Sequence, residues 1–433
     1  MEAKQETQTD IVVVGGGMAG LVAAALAARS GASVTLIDSA RLGGRARTTD
    51  KDGYRFNQGP HAVYLSGATG RVLQELGVSL PGGPPATTNS NVVYRGEVHR
   101  LPATPALMVK SGLMGLADKA RMGRLLARLP RLDTATLADR STQQWIDSLG
   151  LGEGAAALVT MLTRVASYSS ALDRLSADAG AAQLRAAAIG PGVRYLDGGW
   201  QRMVDELGII ATAAGARLID HRPVRSIEAG PAGYRIVTDG ESIVAGALIM
   251  AAGSPATAER LLPGDHTYNG LGPDVTAACL DLGLASAPTP LAMFGMDEPL
   301  YFSTHCPPAD LAPEGGSVVH VMRYGARDSA ADRAELWRFA SRCQVRPDDA
   351  VTQRFLLHMT VSHASPVAEN GGLAGRPAVA VPGLTGAFVA GDWVGGEGLL
   401  ADASVASGHD AAAAAVAHLA RRAGSVATAG RAG

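Results

Sequence analysis

Cysteine is scarce in this chain of 433 residues. Cys279, Cys306 and Cys343 are an odd number without Cys-x-x-Cys spacing, so neither a disulfide framework nor a structural zinc site is supported, and no metal is expected. An excess of either charge is also lacking: 38 basic residues face 40 acidic ones, for a net charge of −2. That excludes a nucleic-acid binder driven by bulk positive charge. Charged residues are few at 18% against 47% hydrophobic ones, which removes the compositional case for general disorder. No internal repeat is found. The run IVVVGGGMAGLVAAALAA (11–28) carries no charge, but its three consecutive glycines argue against a spanning helix or a signal peptide. A soluble protein of the reducing cytoplasm is the expectation.

What is present starts with that same run. Four apolar residues, Gly15-x-Gly17-x-x-Gly20 and an alanine-rich stretch read as strand, tight turn and buried helix, the context that a dinucleotide fingerprint requires. Gly15 permits the turn, Gly17 lets backbone approach a pyrophosphate, and Gly20 lets helix and strand pack closely. Met18 and Ala19 then offer free amides at the helix N-terminus. The next strand, VTLID, ends in Asp38, eighteen residues past Gly20 and followed by Ser39. A carboxylate there suits an unphosphorylated ribose. Residues 100 to 190 read as mainly helical, with Ser141 and Gln144 as a capping box. Residues 215 to 252 return to strands, 272 to 365 are mixed, GAFVAGDW is a strand, and a helix follows Asp402. The ends, up to Thr9 and from Arg421, read as frayed.

Five positions after Asp38 comes GGRART, in which Gly43 and Gly44 bring backbone near a ligand and Arg45 offers a charge-assisted contact to phosphate. With GYRFNQGPHAVY (53–64), YLDGGWQRMVDEL (195–207) and GAFVAGDWVGGEGLLADASVASGHDAA (386–412), the chain resembles the FAD-dependent amine oxidase and phytoene desaturase superfamily. Within it, the chain is most similar to bacterial phytoene-dehydrogenase-like oxidoreductases. The resemblance implies an α/β fold: a Rossmann-like FAD-binding domain with a discontinuous, mixed α+β substrate domain. The expected FAD part is 1–100, 190–255 and 365–420, the substrate or cap part 101–189 and 256–364, and 421–433 a flexible tail.

Carried over by residue, the resemblance implies that Gly15, Gly17, Gly20, Asp38 and Arg45 hold the ADP half of non-covalent FAD. Val224 pairs its backbone with adenine. Gly391 and Asp392 meet the ribityl and pyrophosphate part, and Ala403, Ser404 and Val405 begin a helix facing the flavin. Gly59, Pro60 and His61 bring a loop against the ring, with Asn57 where relatives often carry aspartate. His61 is the candidate catalytic group, suited to orient substrate or move a proton. Members that oxidise amines flank the flavin with aromatic side chains, yet this chain is only 4% aromatic; Trp393 is one candidate wall, and Tyr64, Tyr168 and Tyr301 are others.

The implied activity is hydride removal from a carbon of a small, largely apolar substrate, a lipophilic one included, with C–C desaturation first. Flavin amine oxidation and redox-neutral isomerisation are the alternatives. The electron acceptor stays open between O2, a quinone and another partner, and no nucleic-acid partner is expected. Residues 100 to 131 carry seven basic residues against Asp118 alone, with apolar positions at helical spacing. A basic amphipathic helix can rest on an anionic membrane. A helix packed on the substrate domain with a solvated basic face is the favoured reading.

Overall fold

The computed structural model describes residues 5–189 and 192–429. Its first sheet grows around the opening strand, Gln5–Val14, which pairs in parallel with Val34–Ile37 on one side and Glu241–Met250 on the other. Ile11 and Val13 enter the core beneath helix Met18–Arg29, while Val12 and Val14 enter the core on the opposite face. A strand alternates its side chains between faces, so coverage on both sides calls for the unbroken apolar run seen in the sequence. Arg217–Ile219 extends this sheet beyond Val34–Ile37, and the meander Val224–Gly230, Gly233–Thr238 extends it on the far side. The short strand Ala387–Val389 pairs in parallel with Glu241–Met250. Helices Gln201–Ala213 and Leu400–Ala429 pack with the glycine-turn helix. A Cβ at Gly408 would sit 2.4 Å from the Ala19 carbonyl oxygen, so the close helix contact depends on the missing side chain.

The second sheet has the order Ala350–Ser362, Val275–Leu284, Ser317–Tyr324, Leu300–Cys306, Ala292–Gly295, Ser90–Tyr94, Glu97–Arg100. Helix Ala330–Ser341 covers one face through Leu336, Phe339 and Ala340. A helical block of Thr142–Ser148, Glu153–Ser167 and Ala177–Ala188 closes on Trp145, Leu158 and Leu184. The expected capping box is formed: Ser141 Oγ accepts from the Gln144 amide at 3.2 Å, and Gln144 Oε1 accepts from the Ser141 amide at 2.8 Å.

Three sequence expectations are corrected. The N-terminal segment is a strand from Gln5, because the long strand from Glu241 offers it a parallel partner. The hairpin Ser90–Arg100, expected with the first 100 residues, joins the second sheet by pairing with Ala292–Gly295. The expected tail from Arg421 continues the last helix to Ala429, and Arg422 donates to the Gly246 carbonyl at 3.4 Å. Residues 430–433 lie outside the described residues. Among the described residues, no helix is long and apolar enough to cross a membrane.

Candidate active site

A cavity of about 830 Å3 runs from the glycine turn to the edge strand Ala350–Ser362. Its first end is built by backbone. Gly15 has φ +113°, and a Cβ there would lie 2.3 Å from the Ala251 carbonyl oxygen. A Cβ at Gly20 would lie 1.8 Å from the Gly15 oxygen, so helix and turn approach as only glycine allows. Around a Cβ placed on Gly17 there is open space. The Asp38 carboxylate accepts from the Gly16 amide at 2.6 Å and from the Ala40 amide at 2.8 Å, which ties the end of the second strand to the glycine turn.

Gly15, Gly17, Met18, Ala19, Asp38, Ser39, Gly43, Gly44 and Arg45 all line this cavity, as do Pro60, His61, Val224, Gly391, Asp392 and Ser404. Gly20 and Gly59 do not line it; Gly20 lets the first helix approach the glycine turn, and Gly59, at φ +78°, turns the loop before His61. Arg45 has a partner that sequence reading did not supply. Its Nη1 donates to Asp392 Oδ2 at 2.7 Å and to the Val361 carbonyl at 3.0 Å. Burial opposes the guanidinium charge, but Asp392 outweighs it and raises the pKa above its ordinary value. Asp392 is 3% exposed; its Oδ2 also accepts from the His363 amide at 2.9 Å, while Oδ1 has no partner among the described residues. A buried acceptor of this kind calls for a donor from water or from a ligand.

At the C-terminal helix the face turned to the cavity differs from expectation. Leu400, Ala401, Asp402 and Ser404 line it, whereas Ala403 and Val405 are fully buried on the inner side. The helix begins at Leu400, before the expected start, so the helical period places a different set of residues on the open face. Asp402 Oδ1 accepts from the Thr69 amide at 2.8 Å, and burial raises the Asp402 pKa above its ordinary value.

Trp393 is corrected more sharply. It is 1% exposed, sits in the core with Tyr268 at 4.7 Å between ring centroids, and donates its indole N–H to the Gly253 carbonyl at 2.9 Å. Satisfying that N–H holds the ring away from the cavity. The aromatic residues that do line the cavity are Tyr64, Tyr168 and Trp200. Trp200 lay inside the YLDGGWQRMVDEL stretch but was not singled out; its ring meets His61 edge-on at 4.6 Å. Asn57 sets this corner, since its Oδ1 accepts from the Trp200 amide at 2.9 Å and from Thr48 Oγ1 at 2.7 Å. Tyr301 is buried in the second sheet behind it.

His61 holds its Nδ1 3.0 Å from the Gly59 carbonyl. A carbonyl only accepts, so Nδ1 carries the proton and Nε2 is left as an acceptor. Burial pushes the pKa down to about 4, which makes the ring neutral at pH 7. The sign follows from linkage: the unfolded chain binds this proton near pH 6.5 and the folded chain only near 4, so stability drains away as pH falls between them. His61→Gln should show a flatter loss of stability between pH 6.5 and 4 than the parent in urea titrations. Equal slopes would place the imidazole in a solvated setting.

Behind Asn57 and His61 lies a buried ionic group. Asp281, fully buried, receives His320 Nδ1 at 2.6 Å, Cys279 Sγ at 3.2 Å and Arg354 Nε at 2.9 Å. The thiol, carboxylate and imidazole lie within 4.8 Å of one another, but at hydrogen-bond separations and with Arg354 already balancing the carboxylate. The donor set fits an ion pair better than a metal. Arg354 Nη2 also donates to the Asn57 carbonyl, which couples this pair to the His61 loop.

Comparison with known proteins bears on the class. The family model for flavin containing amine oxidoreductases matches residues 18–287. A phytoene desaturase of Cercospora nicotianae is 41% identical over 70 residues, 16% of this chain and 11% of that protein. AofH of Mycobacterium tuberculosis, named provisionally as a flavin-containing monoamine oxidase, is 29% identical over 266 residues, 56% of each chain. The fold is that of an oxidoreductase from Methanosarcina mazei, with a TM-score of 0.71 at 17% identity over 93% of this chain and 99% of the other. The chain belongs to the flavin containing amine oxidoreductase family, whose members are FAD-dependent oxidoreductases. The matched stretches thus span about a tenth to a half of these curated relatives.

Proposed function

We propose that this protein uses non-covalently held FAD to desaturate a C–C bond of a small, largely apolar substrate. The observation that carries this reading is the cavity itself, which joins a glycine-built anion cradle at one end to a neutral wall of His61, Tyr64, Tyr168, Trp200, Leu356 and Met359 at the other. The residues fit the cofactor: the space at Gly17 is open to a pyrophosphate, and the unpaired Asp392 Oδ1 suits a hydroxyl donor. The first-turn amides at Met18 and Ala19, with Arg45, would hold the phosphates. FAD, when bound, supplies a two-electron acceptor for hydride.

The chain's own work is to position and to keep dry. Desaturation would break two C–H bonds on adjacent carbons, one hydrogen leaving as hydride and the other as a proton, while the remaining electron pair would form the double bond. His61 Nε2 is the acceptor that faces such a proton or orients a substrate hydrogen, and the Trp200 edge fixes its ring. Tyr168 spends its hydroxyl on the Pro60 carbonyl at 3.1 Å and Tyr64 on the Ala166 carbonyl at 2.8 Å, so both present mainly apolar ring surface. Amine oxidation is the second reading, supported by the 266-residue similarity to the monoamine-oxidase-named relative.

The purified protein should be yellow, and acid precipitation should release its flavin. Asp38→Ala and Arg45→Ala should each weaken FAD retention roughly ten- to hundredfold, since each removes charge-assisted contacts worth about 1.5–3 kcal/mol. Titration of the apoprotein reads this directly, and parental affinity in both variants would overturn the assignment. Anaerobic bleaching against alkenes, terpenoids and amines then separates the two reactions.

A further inference from the structure

The basic stretch between Arg100 and Arg131 packs on the helical block along a narrow line, through Met122, Leu129 and the partly buried Leu125 and Met108, and it leaves apolar as well as basic side chains in solvent. Helix Pro105–Lys110 buries none of its residues, and helix Leu116–Arg128 buries only Met122. Leu116 is 85% exposed and Val109 68%. At 100° per residue, Leu116, Ala120, Gly123 and Ala127 follow one stripe on the side away from Met122, with Arg124 and Arg128 beside it. Lys110, Arg124, Arg128 and Arg131 are exposed, and none has a carboxylate partner among the described residues. Arg121 alone is paired, to Asp118 at 2.9 Å.

We propose that this face docks on an anionic lipid bilayer, with Val109 and Leu116 entering the headgroup layer and the unpaired cations meeting lipid phosphates. Charge complementarity carries the choice of partner: in a chain of net charge −2, this unpaired positive cluster stands out from its surroundings. The exposed apolar side chains stand on the outer stripe of a convex helix, not in a groove. Such a surface suits a deformable partner that takes up isolated side chains while binding cations. The site also has a physical link to the cavity. Helix Glu153–Ser167 follows Gly152, whose amide donates to Asp118 Oδ1 at 3.0 Å, and ends at the cavity-lining Tyr168. Fifteen residues at about 1.5 Å each put the docking face about 22 Å from the cavity along one rigid element. The inference stands apart from the reaction proposed above.

The test is flotation of the full flavin-loaded chain with vesicles of phosphatidylcholine, with and without phosphatidylglycerol. The parent should float with the anionic vesicles at low salt, much less with the neutral ones, and detach as salt is raised. R124Q/R128Q/R131Q should bind about 100-fold more weakly, and V109S/L116S should lose the fraction that survives physiological salt. Flavin absorbance reports that both variants remain folded. Equal binding to neutral and anionic vesicles, or none to either, overturns the proposal. So does V109S/L116S floating like the parent while the parent also binds polyglutamate as tightly as vesicles, an outcome that would point to an acidic protein instead.

Discussion

Arg354→Met should cost about 3–5 kcal/mol of folding stability, read as a lower urea midpoint at unchanged slope. The variant leaves Asp281, 0% exposed, with His320 as its remaining ionic partner. Burial pushes the Asp281 carboxyl up, but His320 and Arg354 together hold it below its ordinary value. A carboxyl held low contributes stability above its unfolded pKa and loses it as pH falls. Without Arg354 the carboxyl rises and can neutralise itself, so the gap between variant and parent should narrow towards acid. The same substitution releases the Asn57 carbonyl and with it the strand end that leads to His61. Substrate-driven bleaching should therefore slow even where the protein is folded. A variant of parental stability at neutral pH would show that Asp281 is already neutral in the native state.

The second large effect contrasts two neighbouring glycines. Gly20→Ala drives a methyl group to 1.8 Å from the Gly15 oxygen, forcing the first helix off its sheet. The expected product is insoluble or colourless protein, since a backbone atom cannot rotate aside and the whole βαβ start must shift. Gly17→Ala instead meets nothing within 4 Å and sits at φ −78°, a conformation alanine adopts freely. That chain should fold to parental stability, yet retain FAD poorly, because its methyl group projects into the space assigned to pyrophosphate. Far-ultraviolet dichroism and flavin content, measured on both, separate the two roles. A yellow Gly17→Ala variant with parental affinity would move the pyrophosphate elsewhere in the cavity.

The start of the fold was readable because its signals are local. The apolar run, the three glycines and Asp38 all fall within residues 11 to 38, and the Ser141–Gln144 box closes within four residues. The second sheet was not readable, since Ser90–Tyr94 finds its partner two hundred residues later at Ala292–Gly295. The site divides in the same way. Backbone-determined positions such as Gly15, Gly17 and Val224 line the cavity. Side chains whose direction depends on a distant partner did not follow. The Gly253 carbonyl turns Trp393 inward, Asn57 fixes the backbone from which Trp200 meets His61, and the inner face of Ala350–Ser362 brings Leu356 and Met359 to a wall that no local pattern marked.

The pairing of Arg45 with Asp392 spans 347 positions of the chain, and Thr69 reaches 333 positions to Asp402. On a ribosome, the first half of the cavity is therefore complete long before the second half exists. A nascent chain that has passed its glycine turn holds an anion cradle with no far wall, and residues 391 to 404 close it. Capture of the cofactor is then expected to wait for these distant residues: a chain broken off before residue 392 keeps its nucleotide fingerprint but lacks the carboxylate and the helix that complete the chamber.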